Sequence, residues 1–333
     1  MSYSAGGVLD GPRFEIGIND SLYPDMLRFV EEPPLRLYGM GNPNVLVPGI
    51  AFIGSRKATP YGLAATSRFA QHAAKRGVPI ISGGARGCDQ EAHKAALNMG
   101  CPTVVVFGSG ADVAYPRRGL KLFQQVLDAG GAIVSENPWG TEPRGFMFRK
   151  RNRIIAGMAM LLVIAEAGMP SGTFSTADAA INAGRIVGTV PGSISSPYSK
   201  GANHLIGQGG HPVTDEESLD ELIEIAFAQL PLSISERPGS DGAAAAWEKL
   251  LEEEPLLAAL AADSYGPDEL CAYFGFSGSE VACRLAQYEM EGLVERGRDG
   301  RFQAVKGRLR YAVPREIACR ASEHKNAIAA KAQ

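Results

Sequence analysis

From Gly49 onward, short apolar runs alternate with stretches whose apolar positions recur every three or four residues. Ile50–Gly54 (IAFIG), Val78–Ser82 (VPIIS), Thr103–Phe107 (TVVVF), Ala132–Ser135 (AIVS), Met160–Ala165 (MLLVIA) and Ile186–Val190 read as strands. Between them, Pro60–Arg76 carries Leu63, Ala64, Phe69 and Ala73 at helical spacing. Asp89–Met99, Arg117–Asp128 and Thr173–Ala183 read as further helices, and Ser218–Phe227 closes the series. Strands that are apolar on both faces need cover on both sides. The pattern therefore predicts an α/β fold, a Rossmann-like, doubly wound, mostly parallel sheet over residues 48–228. In such folds ligands bind at the carboxyl ends of the strands.

The flanks read differently. Residues 1–47 hold one candidate strand, Phe14–Ile18, then Tyr23-Pro24 and Pro33-Pro34, and are expected to pack on the core as an extension. Residues 229–243, rich in Pro, Gly and Ser, read as a linker. Ala244–Glu253, Pro267–Phe274 and Ser279–Glu291 then read as helices. Leu293–Arg296 and Arg301–Val305 read as strands about an Asp299-Gly300 turn. That order predicts a small winged-helix domain over 244–313, with a weakly specified tail over 314–333.

Composition narrows the function classes. Hydrophobic residues make up 45% and charged residues 21% of 333, as in ordinary globular chains. The net charge of −3 means that any nucleic-acid binding must rest on a local basic patch. Gly, at 40 residues, exceeds the usual ~7% and clusters at strand ends. No apolar stretch approaches the ~18 residues of a membrane span, and no signal peptide is evident. Five cysteines without CxxC and five histidines without HxxxH argue against disulfide and zinc scaffolds. The expectation is a reduced, cytoplasmic chain without metal or cofactor.

Candidate chemistry sits in the turns. Gly54-Ser55-Arg56-Lys57 follows the first core strand; Ser55 and backbone amides suit a phosphate, with Arg56 in the cleft or simply facing solvent. Ser82-Gly83-Gly84-Ala85-Arg86-Gly87-Cys88-Asp89 lets amides approach an anion beside Arg86, but it is neither GxGxxG nor a P-loop. Asp89 suits a helix cap, and His93 a structural hydrogen bond better than a base. Arg144 to Arg153 (RGFMFRKRNR) holds five basic residues, no acidic one, and Phe146 and Phe148 between them. Basic charge with interleaved aromatics suits single-stranded nucleic acid. The alternative is a solvated face, or arginines packed against the sheet. Read as an extended segment, the run sends Phe146 and Phe148 to opposite sides and uses Asn152 and Arg153 to fix the loop. Glu166-Ala-Gly168-Met-Pro-Ser171-Gly172-Thr173 and Pro191-Gly192-Ser193, with Lys200 downstream, complete one cleft.

These motifs together resemble the DNA-processing protein A family (DprA, also called Smf). The likeness runs through INDSLYP, PPLRLYGMGN, GSRKATPYG, SGGARGCDQEAH, FGSGADVAYP, FRKRNRIIAGM, EAGMPSGTFSTADAAINAGR and VPGSISSPYSKGANHLI, about residues 18–215. Gly84 and Cys88 stand where the family usually has larger aliphatics. The resemblance implies single-stranded DNA binding, homodimerisation, loading of the RecA recombinase in natural transformation, and no catalysis. It puts Arg56 and the segment Arg144–Arg153 at the DNA; together with the reading of the turns, the expected DNA contacts are Ser55, Arg56, Lys57, Ser82, Gly83, Arg86, Gly87, Arg144, Phe146, Phe148, Arg149, Lys150, Arg151, Ser171 and Lys200. Gly54, Asp89, Asn152, Arg153, Gly168 and Gly172 shape the cleft. The dimer is expected to form near the last strand and helix, about residues 205–227, where Leu219, Leu222, Ile223, Ala226 and Phe227 lie along one helix face, or else serve as intramolecular core.

Two rival readings are weaker. A LOG-type nucleoside-monophosphate phosphoribohydrolase needs a carboxylate near the developing oxocarbenium ion. Here Gly172-Thr173 is followed by Thr176 where such enzymes place Glu, and Glu166 and Asp178 lack the spacing. A winged-helix regulator would insert Ser279–Glu291 into a groove, but Glu280, Glu289 and Glu291 outnumber Arg284 there. Arg296, Arg298, Arg301, Lys306, Arg308 and Arg310 make the following region more basic.

Overall fold

The computed structural model describes residues 9–228, 254–291, 293–297 and 300–304. The linker, the helix expected at Ala244–Glu253, Arg298, Asp299, the basic residues from Lys306 and the tail lie outside the described residues. The chain divides into two compact units, near residue 229.

In the first unit, β3 (Gly49–Ile53), β4 (Ile80–Ser82), β5 (Thr103–Val106) and β6 (Ala132–Ser135) step outward in order. They are joined by α1 (Pro60–Lys75), α2 (Cys88–Asn98) and α3 (Leu120–Asp128). The chain then returns through α4 (Gly145–Met158) to β7 (Ala159–Ile164) on the other side of β3. It continues outward through α5 (Phe174–Asn182), β8 (Ile186–Thr189), α6 (Lys200–Gly207), β9 (His211–Pro212) and α7 (Glu216–Ala228). Neighbouring strands from β6 to β9 are all parallel. The reversal of winding between β3 and β7 is a topological switch point, and it opens a crevice at the strand ends.

Successive strand residues point to opposite faces. Val104 and Val106 join the cluster formed with Ile154, Ile155 and Ala177 of α4 and α5. Val105 instead joins Phe123 and Val126 of α3. This double burial is why the strands are apolar throughout.

The segment before residue 48 is not simply laid on the core. β1 (Arg13–Gly17) pairs antiparallel with β2 (Arg36–Gly41), and β2 with β6, so both belong to the nine-stranded sheet. The LRFVEEPP stretch between them seats Leu27 and Val30 against α4, where Gly157 leaves room. The run Arg144–Arg153 is not extended either: nearly all of it is the first part of α4. Arg151, Ile154, Ile155 and Met158 are buried at i, i+3, i+4 and i+7, a helical stripe that the charges conceal. The stripe Leu219, Leu222, Ile223 and Ala226 is also buried, with α7 against β7 and β8. Of the two roles open to this stripe, these four side chains take that of intramolecular core, while Phe227 is partly buried and Ile225 is exposed on the same helix.

The second unit has three helices, α8 (Pro255–Ala262), α9 (Pro267–Phe274) and α10 (Gly278–Glu291), followed by an antiparallel pair, β10 (Val294–Arg296) and β11 (Phe302–Ala304). Leu256, Leu260, Leu270, Leu285 and Phe302 form its core. Among the described residues of the chain, no helix is long and apolar enough to cross a membrane.

Gly157 offers a clean test of how the N-terminal segment is held. By helix propensity alone, Gly157→Ala gains ~1 kcal/mol. A Cβ there, however, falls on Val30 and Leu27. Overpacking costs ~1–3 kcal/mol. Urea denaturation is expected to show net destabilisation, whereas Gly145→Ala, with no atom within 4 Å, leaves the midpoint nearly unchanged.

Candidate nucleic-acid interface

The turns at the carboxyl ends of the strands interlock. Ser55 N donates to Glu166 O at 2.8 Å, Cys88 N to Ser55 O at 3.3 Å, and Gly201 N to Ala167 O at 2.8 Å. The loops after β3, β4 and β7 and the start of α6 are therefore one bonded surface. Gly87 has φ +84° and faces the Ser55 carbonyl, a position no other residue type fills without strain. Gly54 presses on Cys88, whose buried thiol is pushed up to about 12, so Cys88 is no nucleophile.

Beneath this surface lies the side chain that organises it. Arg151 is 4% exposed. Its Nη1 donates to Gly83 O at 2.8 Å and also to Val106 O, tying the ends of β4 and β5 together. Gly83 must lack a side chain, since a Cβ would stand 2.6 Å from the guanidinium. α4 reaches this place because its crossing from β6 to β7 takes it past β5, β4 and β3. Burial pulls the Arg151 guanidinium down to about 10, while Asp89 opposes the shift. Asp89, also buried, receives Ala85 N at 3.3 Å; burial raises its carboxyl to about 6, with Arg151, Ala85 and Arg56 working against that. His93 bonds Thr103 Oγ1 at 2.7 Å, and burial, then the Arg151 charge, drives it down to about 3. It is a neutral core histidine.

Several other expected site residues are engaged within the protein. Ser82 is fully buried and donates to Phe52 O at 2.6 Å. Arg153 holds Glu136 through both terminal nitrogens at 2.8 and 2.7 Å and donates to Glu32 O. Asn152 donates to Ser175 Oγ at 2.9 Å, linking α4 to α5. Lys150 lies 3.2 Å from Glu136. Ser171 donates to Thr173 Oγ1 at 2.8 Å, shaping the loop after β7 with Gly168 near Pro197 O and Gly172 open. Phe148 is partly covered and contacts Tyr115, with ring centroids 5.1 Å apart, while Phe146 is 55% exposed.

What remains at this edge is a set of unneutralised cations. Arg56, Lys57, Arg86, Arg144, Arg149 and Lys200 are exposed, and among the described residues none makes a hydrogen bond or ion pair through its side chain. The sequence reading missed Arg117, Arg118 and Lys121, which follow β5 and share this condition. Their signal was position alone, after a strand end and before a helix. Outside these loops Arg28, Arg36, Arg68, Arg76 and Lys94 each sit against a carboxylate. Unpaired charge gathered behind successive strand ends makes a field suited to phosphates. Exposed Tyr61, Tyr115, Phe146 and Tyr198 stand in the same loops or helix starts.

A cleft of about 500 Å³ adjoins the switch point, lined by Thr59, Tyr61, Glu166, Pro191 and Ser193 among others. Its carboxylate is committed: Glu166, 2% exposed, accepts from Thr59 N at 2.8 Å and Thr59 Oγ1 at 2.6 Å. Asp178 is exposed on α5.

Residues 15–224 match the model of the DNA recombination-mediator protein A family. The chain belongs to that family. The family is that of a DNA recombination mediator. The Smf protein of Escherichia coli is 37% identical over 217 residues, 65% of this chain and 58% of that protein. The crystal structure of DNA processing protein A from Streptococcus pneumoniae superposes with a TM-score of 0.59 at 34% identity, covering 67% of this chain and 75% of that one. A structure of the Helicobacter pylori protein, described for its single-stranded DNA binding mode, gives 0.58 at 27% identity, covering 64% and 97%. This chain thus spans little over half the length of its Escherichia coli relative.

Arg151 and Arg149, two residues apart, are expected to behave as opposites. Arg151→Met leaves two carbonyls and Asp89 without their buried partner and should cost ~3–5 kcal/mol in urea denaturation. Arg149→Met should stay within ~0.5 kcal/mol.

His93 sets a pH dependence of stability. Below about pH 6.5 the unfolded chain takes up a proton that folded His93, held near 3, refuses. Stability from this group is thus present above 6.5 and lost as pH falls. Melting temperatures of the wild type relative to His93→Gln should decline between pH 7 and 4, the carboxylates being common to both.

Proposed function

We propose that this protein binds single-stranded DNA along the carboxyl edge of its sheet, and as a homodimer delivers that DNA to the RecA recombinase during natural transformation. The observation that carries the reading is the row of unpaired cations behind successive parallel strands, interleaved with exposed aromatics. Cations track a backbone and exposed rings stack on bases without reading their sequence. Arg56, Lys57 and Arg86 take phosphates at the two glycine turns, joined by Arg144, Arg149 and Lys200. Phe146 stacks on a base. Arg151, Asn152 and Arg153 act from below by fixing α4. The family's description as a recombination mediator supports the recombinase, and the exposed residues about 205–227, Ile225 among them, are the surface on which the dimer is proposed.

Two observations weigh against the rivals. Against phosphoribohydrolysis stands Glu166, the carboxylate lining the cleft, which is held by Thr59. For the second unit, three helices and an antiparallel pair support a winged helix, but not one that reads duplex DNA. Arg284 of α10 is engaged by Glu254 at 3.1 Å, beside exposed Glu280 and Glu289.

Anisotropy titrations with equal lengths of single- and double-stranded DNA test this reading. The single strand is expected to bind more tightly, with affinity falling as salt rises. Arg56→Ala should cost ~1.5–3 kcal/mol of binding at unchanged melting temperature. Equal affinity for duplex, or an unaltered Kd in the folded Arg56→Ala protein, overturns it.

A further inference from the structure

We infer that Tyr115 forms a second base-stacking platform, beyond Phe146, which lengthens the single-stranded DNA track toward β5. The inference rests on the single-stranded DNA reading and adds a site to it. Tyr115 closes the loop that follows β5, and 44% of it is exposed. Phe148 supports it from within the protein, with ring centroids 5.1 Å apart and a tilt of 34°. Phe148 is itself seated on Gly108, where a Cβ would stand 2.8 Å from its ring. The exposed tyrosine is thus the outer member of a built aromatic pair.

The loop beneath is held in several places. Asn137 Nδ2 donates to Gly108 O at 3.0 Å and Ser109 Oγ to Val113 O at 2.7 Å. Gly110 N donates to Thr141 O at 2.8 Å, and Asp112 accepts Gly140 N at 2.9 Å. A ring held this way loses little freedom when a base arrives, which favours stacking. Arg117 and Arg118 follow within three residues, exposed and without a hydrogen bond or ion pair among the described residues. A ring with two unpaired guanidinium groups beside it matches the base-and-phosphate repeat of a single strand. A duplex keeps its bases stacked on one another and offers Tyr115 nothing to cover.

The test uses the full chain and oligothymidylate of about twenty nucleotides, with an abasic oligomer of equal length as control. Tyr115→Ala is expected to weaken oligothymidylate binding roughly ten-fold, within the range of base–aromatic stacking. Tyr115→Trp should restore it, and on the abasic oligomer all three proteins should bind alike. In wild type, photo-cross-linking of 5-iodouracil-substituted strands, mapped by mass spectrometry, should label Tyr115, a result that needs no variant to fold. Equal oligothymidylate affinity in wild type and Tyr115→Ala overturns the inference, as does an equal loss on the abasic oligomer or absence of label at Tyr115. A wild-type chain that fails to bind oligothymidylate at all overturns instead the reading on which it rests.

Discussion

A guanidinium buried under the carboxyl edge of the sheet holds the rest in place. Taking a charge out of water is costly unless partners replace the lost hydration. Arg151 finds them in the carbonyls of Gly83 and Val106 and in the charge of Asp89. Those groups lie at the end of β5, in the turn just after β4, and in the first turn of α2. Satisfying one side chain therefore fixes three pieces of backbone relative to α4. The need also works in reverse: Gly83 must stay small, and α4 must cross at the height that brings Arg151 beneath it.

This anchoring divides α4 by side rather than by sequence. One side carries Arg151, Ile154, Ile155 and Met158 into the core. The other presents Phe146 and Arg149 outward at the edge where Arg56, Arg86 and Arg117 also stand. The edge is firm because its turns are bonded to one another through Ser55, Cys88, Glu166 and Ala167. Cations on such a support need little reorganisation to meet a phosphate. Their lack of carboxylate partners is what separates them from cations such as Arg68 and Arg76, which join α1 to α7.

The parallel core was legible because burial on two faces leaves unbroken apolar runs such as TVVVF, and the turns were legible because glycine marks them. β2 escaped notice because RLYGMG is interrupted by glycines and follows a proline pair. The helical period of α4 is hidden in the sequence because its buried stripe begins with a charged residue, Arg151, inside a basic run. Arg117 and Arg118 were absorbed into a helix that in fact begins at Leu120, after a short 3-10 turn. The contrast between paired and unpaired cations was beyond the sequence, since pairs such as Arg68 with Glu216 form between residues far apart in the chain.

Hydrogen exchange of the full chain, with and without saturating oligothymidylate, tests most directly whether the unpaired cations mark the interface. Slowed exchange is predicted across 54–58, 84–88, 109–119 and 145–150, the loops after β3, β4 and β5 and the first turns of α4. Exchange unchanged in all four stretches, with protection confined to 216–228 or to 255–304, would contradict the account.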